Sequence, residues 1–300
     1  MTLTSTTLER SRPEPQGGRR AIRAIGHWGL PALTALAMLY LLIPIAVMIV
    51  FSFNDYDGKF NFIWRGFTLN AWLHPLDWPG LGQAIRTSLL IAALATLVST
   101  ILGTLIALAL TRYQFHGRGL LNGLIFLPMA SPEIVLGSSL LTMFVNISIH
   151  NGIVPPGLAN LPAGTLSLGF TTILIAHIMF NISYVVVTVK ARLSGFDRRL
   201  EEAAMDLGAN EWTTFWKVTF PLIFPGIMAA SLLAFSLSID DFVITNFVSG
   251  TTNTFPIWTY GIIRNALPAQ INVIGSIVFL TAVIFVGATT LRSGRAPRLG

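Results

Sequence analysis

Three carboxylates stand inside stretches otherwise apolar enough to cross a bilayer: Glu133, Asp240 and Asp241. An ionised side chain deep in a membrane helix costs roughly 2.5–3.5 kcal/mol on insertion scales, which makes each a candidate functional group. Apart from Arg86 near the end of its own apolar stretch, no Lys or Arg lies at a depth to neutralise them. A cationic cargo, a basic residue on a partner subunit, or protonation must then do so. Glu133 follows Pro128 and Pro132, which free backbone carbonyls and break or kink the helix, so its alternative role is to satisfy freed backbone amides. At ~1.5 Å per residue Glu133 lies about 20 Å from Leu120, and Asp240 about 27 Å from Leu222. Neighbouring helix positions differ by about 100°, so at most one of Asp240 and Asp241 faces a pathway squarely. Their alternative is to cap a broken helix or to pair with a partner's base. His177 and Asn181, with Tyr184 beside them, share a helix face and suit interhelical hydrogen bonds or a cargo contact.

A second constellation is polar: residues 201–225, an island between two membrane-length apolar runs. Leu200, Ala203, Ala204 and Leu207 fall on one stripe of a short helix. Asp197 suits its start, and Gly208 suits the left-handed position that ends it. Asn210 then caps a second short helix, with Glu211 in its first turn and Lys217 near its end. Pro221 and Pro225 mark entry into the next span. A plain amphipathic helix lying on the membrane surface is the alternative reading of this loop.

The elements that must position these groups follow from composition. The chain is 53% hydrophobic and 11% charged, against roughly 25% charged for an ordinary soluble domain. Six spans are expected, at about 31–53, 84–111, 120–146, 169–190, 222–248 and 271–291. The first is too long for a signal-peptide core and lacks a small-residue cleavage site, so it is expected to stay as a membrane helix. The residues up to Gly29, rich in Pro, Gly, Ser, Thr and Arg, read as a disordered basic tail, with 30–292 as the six-span domain and 293–300 as a second tail. Gly103 and Gly137 are expected to ease helix contacts. Trp64, Trp72, Trp78 and Trp258 are expected to anchor the protein at the outer interface.

Most basic residues collect on one side: the N-terminal arginines, Arg112, Arg118, Lys190, Arg192, Arg198, Arg199, Lys217 and the C-terminal arginines. Lys59, Arg65, Arg86 and Arg264 fall on the other. The positive-inside rule therefore places both termini and the 191–221 loop in the cytoplasm. The net charge of +6 reflects this bias, and nucleic acid is a poor partner for it. With no cysteine there is no disulfide, thiolate metal site or cysteine nucleophile. No G-x-x-x-x-G-K-[ST] phosphate loop is present, so ATP chemistry cannot be this chain's own, and no nucleophile–base set or metal cluster marks an enzyme.

Glu202-Ala203-Ala204, Gly208, and Val218-Thr219-Phe220-Pro221 resemble the E-A-A-x3-G-x9-I-x-L-P loop of binding-protein-dependent ABC transporter permeases, with Val218 for Ile and Phe220 for Leu. Ser131-Pro132-Glu133-Ile134-Val135-Leu136-Gly137, Asp240-Asp241-Phe242-Val243-Ile244-Thr245, Phe51-Ser52-Phe53-Asn54, and Arg112-Tyr113-Gln114-Phe115 with Gly117-Arg118-Gly119 are similar to the spermidine/putrescine-type members. The likeness covers nearly all of 31–290.

The resemblance implies an all-α integral membrane protein, with six transmembrane helices of the type I, MetI-like importer permease fold and a cytoplasmic coupling-helix loop. It implies a coupling role for Glu201, Glu202, Ala203, Ala204, Asp206, Leu207, Gly208 and Pro221, in which the first loop helix enters a cleft on an ATPase. It implies a bacterial cytoplasmic (inner) membrane location and, as partners, two ATPase copies, a second homologous permease and an extracytoplasmic substrate-binding protein. No cofactor is expected on this chain; ATP and Mg belong to the ATPase. Polyamine is the cargo it favours, with ferric iron, opines or amino-acid-like solutes as alternatives. A proton-coupled secondary transporter, using the carboxylates as proton carriers, is the rival outside the family.

Overall fold

A bilayer core leaves backbone groups no partner but each other, and the long Leu-, Ile-, Val- and Ala-rich runs accordingly fold as helices. The computed structural model describes residues 16–149, 167–195 and 197–293, in which an isolated antiparallel bridge joins Asn54 and Phe67. The expected tail segments 1–15 and 294–300 lie outside the described residues. Helix α1 (Gln16–Phe51) starts well before the expected tail boundary at Gly29, because Arg19-Arg20-Ala21-Ile22-Arg23-Ala24 are adequate helix formers and no proline intervenes before Pro31.

Among the described residues, 4 helical segments are by length and composition able to cross a membrane singly: Gly29–Phe51 in α1, α3 (Leu81–Arg112), α6 (Phe170–Ser194) and Glu211–Asp240. Short α2 (Asn70–Leu73) precedes α3. The expected third span is not one rod. It is α4 (Arg118–Ala130) and α5 (Glu133–Ile149), bent by 104° at Ser131-Pro132. Pro128 is absorbed inside α4, whereas Pro132, lacking an amide proton, stands at the break. Counting rise straight through to Glu133 therefore overstates its depth.

The loop after α6 holds α7 (Arg199–Asp206) and α8 (Glu211–Thr214), then a π-helical turn at Phe215–Thr219 that leads into α9 (Phe220–Asp240). The expected fifth span also ends early: α9 stops at Asp240, and α10 (Val243–Val248) starts a new direction after Asp241-Phe242. After α11 (Phe255–Ile262), the expected sixth span falls on α12 (Ala269–Ser293).

The chain divides into two compact units, Leu76–Leu267 and Met1–Pro75 with Pro268–Gly300. In the first, α3, α6 and α9 form the core: Ala107 and Leu110 meet Val185, Val186, Val189 and Leu193, with Ile223, Ala230 and Ala234 closing the third side. Small residues set the approach, as lipid-facing association requires. A Cβ added at Gly103 would stand 2.6 Å from Val185 Cγ1, and one at Gly226 would stand 2.7 Å from the Arg192 stem. A second cluster joins α5 and α10 to α3 and α6 through Leu140, Phe144, Ile91, Phe180, Ile244 and Val248; Gly137 makes room there for Phe247.

In the other unit, α12 packs on α1, where Gly275 receives Met48. Asn54 organises the segment after α1. Its Nδ2 donates to Asn61 Oδ1 (2.6 Å) and Ile63 O (2.8 Å), and its Oδ1 accepts from Arg65 N. Trp72 donates to Ser52 Oγ and stacks on Phe53, and Trp258, in the first unit, is buried and donates to Pro79 O. These two tryptophans are held by contacts within the protein.

Candidate functional site

The polar island folds as its residue types dictate. Asp197 Oδ1 accepts from Arg199 N at 3.0 Å, and Asn210 Oδ1 accepts from Thr213 N at 2.8 Å, capping the starts of α7 and α8. Gly208 takes φ +90, with Gly208 N donating to Met205 O and Ala209 N to Ala204 O, the two bonds of a Schellman ending. A Cβ at Gly208 would meet nothing within 4 Å, so glycine is needed there for conformation and not for space.

Glu201 and Glu202 point different ways, as adjacent helix positions must. Glu201 turns inward: Arg112, in the last turn of α3, holds both of its oxygens, and Thr219 Oγ1 donates to Oε1. Glu202 and Asp206 face outward, as do Ala203, Met205 and Leu207, the last 90% exposed; Ala204 is half-buried. The expected stripe of Leu200, Ala203, Ala204 and Leu207 is thus largely an open face rather than a packed one. Pro221 lies in the first turn of α9.

The membrane carboxylates separate into two kinds. Asp241 is almost buried, and its Oδ2 accepts from Thr245 N (2.8 Å) and Thr245 Oγ1 (2.6 Å) and lies 3.3 Å from His177 Nε2. His177, itself buried, also reaches Ser238 Oγ (2.6 Å) through Nδ1 and Thr245 Oγ1 (2.9 Å) through Nε2. One polar network therefore ties α6, the end of α9 and the start of α10. Asp241 caps the second half of the broken span, and every partner the network gives it is on this chain. Of the roles open to it in the sequence, the cap of a broken helix is the one its contacts match. Glu133, in the first turn of α5, and Asp240, at the end of α9, are exposed, and among the described residues neither has an ion-pair partner.

Asn181 is fully buried, and both polar atoms of its side chain lack a partner among the described residues. Tyr184 is half-buried and edge-on to Phe180, which is edge-on to His177. The structure thus brings His177 and Asp241 together and leaves Asp240 and Glu133 open.

Sequence reasoning missed Arg112 and Thr219 as partners of Glu201, since no local pattern signals a pairing across so long a separation. It also missed an aromatic ladder at helical spacing, Trp212–Trp216–Phe220–Phe224, with ring centroids 5.7, 4.9 and 5.6 Å apart; its i, i+4 pattern is visible in the sequence.

Residues 99–293 match the family described as binding-protein-dependent transport system inner membrane component. Over 253 residues the chain is 36% identical to the spermidine/putrescine transport system permease protein PotC of Escherichia coli K12, covering 84% of this chain and 89% of that protein. It is 35% identical to the putrescine transport system permease protein PotI of the same organism, covering 84% and 85%. Among solved structures, a chain of a bacterial ABC transporter that imports the acidic polysaccharide alginate superposes with TM-score 0.67 at 16% identity, covering 91% of this chain and 99% of that one. A chain of the alginate transporter in complex with its alginate pentasaccharide-bound periplasmic protein gives TM-score 0.66 at 17% identity.

Proposed function

The chain belongs to the binding-protein-dependent transport system inner membrane component family, and from that premise we propose that it forms half of the pathway of an ATP-driven importer for a polyamine of the spermidine or putrescine type. It is the permease component of an ABC importer and not an enzyme. In the proposed arrangement a second, homologous permease completes the pathway, two ATPase copies bind on the cytoplasmic side, and a binding protein delivers cargo from outside. Both termini and the 191–221 loop lie in the cytoplasm. Six crossings follow if the bent α4–α5 pair and α12 each span the bilayer.

The observation that carries the mechanism is α7: a helix capped at both ends whose Glu202, Ala203, Met205 and Leu207 face is open. A short rigid helix with small and acidic residues outward suits insertion into a basic-lined cleft. Closure of the ATPase pair on ATP then moves α7, and the membrane helices move with it to switch access.

For cargo, the support is the likeness to polyamine permeases together with two open carboxylates, Glu133 and Asp240, at the helix breaks. Fold alone does not set cargo charge, since the superposing transporters import an acidic polysaccharide. The test is uptake into proteoliposomes holding the assembled importer and its binding protein. Spermidine or putrescine should accumulate with ATP, with or without a proton uncoupler. Accumulation of only an anion or a sugar would sink the polyamine assignment.

A further inference from the structure

We infer that Glu201 is a positioning residue that fastens the loop helix α7 to the membrane core, so that movement of α7 reaches α3 and α9 together; the inference rests on the reading that α7 meets the ATPase. The geometry is a three-donor clasp. Arg112 Nη1 donates to Glu201 Oε2 at 2.5 Å, Arg112 Nη2 donates to Oε1, and Thr219 Oγ1 donates to Oε1. A planar guanidinium bound through two nitrogens fixes both the distance and the angle of its partner, which a single point contact does not.

The side chains of Arg112 and Glu201 are only 16% and 15% exposed, so water competes weakly for the pair. Thr219 is buried and closes the π turn that leads into α9. Arg112 ends α3, where a cation also complements the helix terminus. One carboxylate therefore joins the loop helix to two of the three helices that build the core. Glu202, facing outward one position on, is left for the partner. Neighbouring acids in the same motif thus have different tasks: one grips outward and the other holds inward.

The experiment uses the whole importer in proteoliposomes and reads two quantities: ATPase co-purified with the permeases, and cargo moved per ATP hydrolysed. In Glu201→Gln and in Arg112→Ala the ATPase should co-purify as in the wild type while cargo per ATP falls about tenfold, the scale of losing hydrogen bonds to a charged group. The double variant should lose clearly less than the two single losses combined, because the Arg112–Glu201 contact is common to both. The reversed pair Glu201→Arg with Arg112→Glu should recover part of the loss, which a generally damaged fold would not do.

Unchanged cargo per ATP in both single variants, or losses that add in the double, would overturn the inference. So would loss of the ATPase from Glu201→Gln alone, which would make Glu201 a docking residue. If the single variants fail to accumulate, Thr219→Val carries the same comparison, since it removes one donor and keeps both charges. Failure of the wild-type chain to retain any ATPase would instead refute the docking role of α7.

Discussion

His177 Nε2 lies 3.3 Å from Asp241 Oδ2, and Thr245 bonds to both, so the break between α9 and α10 is held to α6 by a buried polar network. The consequence is an asymmetry between removing one partner and removing both. His177→Ala should leave a buried carboxylate uncompensated and cost about 3 kcal/mol or more. His177→Leu with Asp241→Leu should be less harmful than His177→Ala alone. Apparent melting temperature in detergent checks the order.

Asp240, one residue earlier, should behave oppositely. It is exposed, so Asp240→Asn and Glu133→Gln should leave the melting temperature within about 1 kcal/mol of stability equivalent, as expected for open positions. If these acids meet a cationic cargo, uptake of spermidine should fall several-fold while the ATPase stays bound. Rates of radiolabelled uptake across a concentration series distinguish weaker cargo affinity from lost protein.

At Gly208 the backbone stands at φ +90 with open space around it. The cost of a side chain is then purely conformational, about 1–2 kcal/mol for Ala and less for Asn, which tolerates the left-handed region. ATPase co-purification should decline in the order Gly, Asn, Ala, with Gly208→Pro worst.

Glu202→Lys reverses an outward charge without touching the Arg112–Glu201–Thr219 clasp. Membrane insertion and melting temperature should match the wild type, while ATPase retention in a pull-down should drop by at least about tenfold, as for like charges meeting across an interface.

Gly103 is a packing constraint. Because an added Cβ would press to 2.6 Å of Val185 Cγ1, Gly103→Ala should destabilise by about 1–3 kcal/mol. Val185→Ala should relieve much of that in the double variant, a non-additivity that thermal unfolding can read.

Much of the local chemistry was legible because it is local. Asp197, Gly208 and Asn210 announce caps and a turn within four residues of the groups they bond, and Pro132 announces a break. What the sequence did not carry was relative direction and long-range pairing. A proline says that a helix breaks but not that it bends by 104°. The stripe at Leu200 and Leu207 marks one face of α7 but not whether that face is packed or open. Arg112 and Glu201 are 89 positions apart, and only the packing of α3 beside the loop brings them together. For Asp241 a helix cap and a charge partner both stood open, because nothing local places His177 of α6 beside it.

The π turn at Phe215–Thr219 makes the phase between loop and core adjustable by one codon. A π turn holds one residue more than the α-helical turn it replaces. Deleting a residue between Trp216 and Val218 would let this segment close as ordinary α-helix, leaving the core helices in register while turning the loop helix α8 that precedes it by about 100°. A lineage could thus retune how its drive end is clocked to its pathway end without rebuilding a single packed helix face.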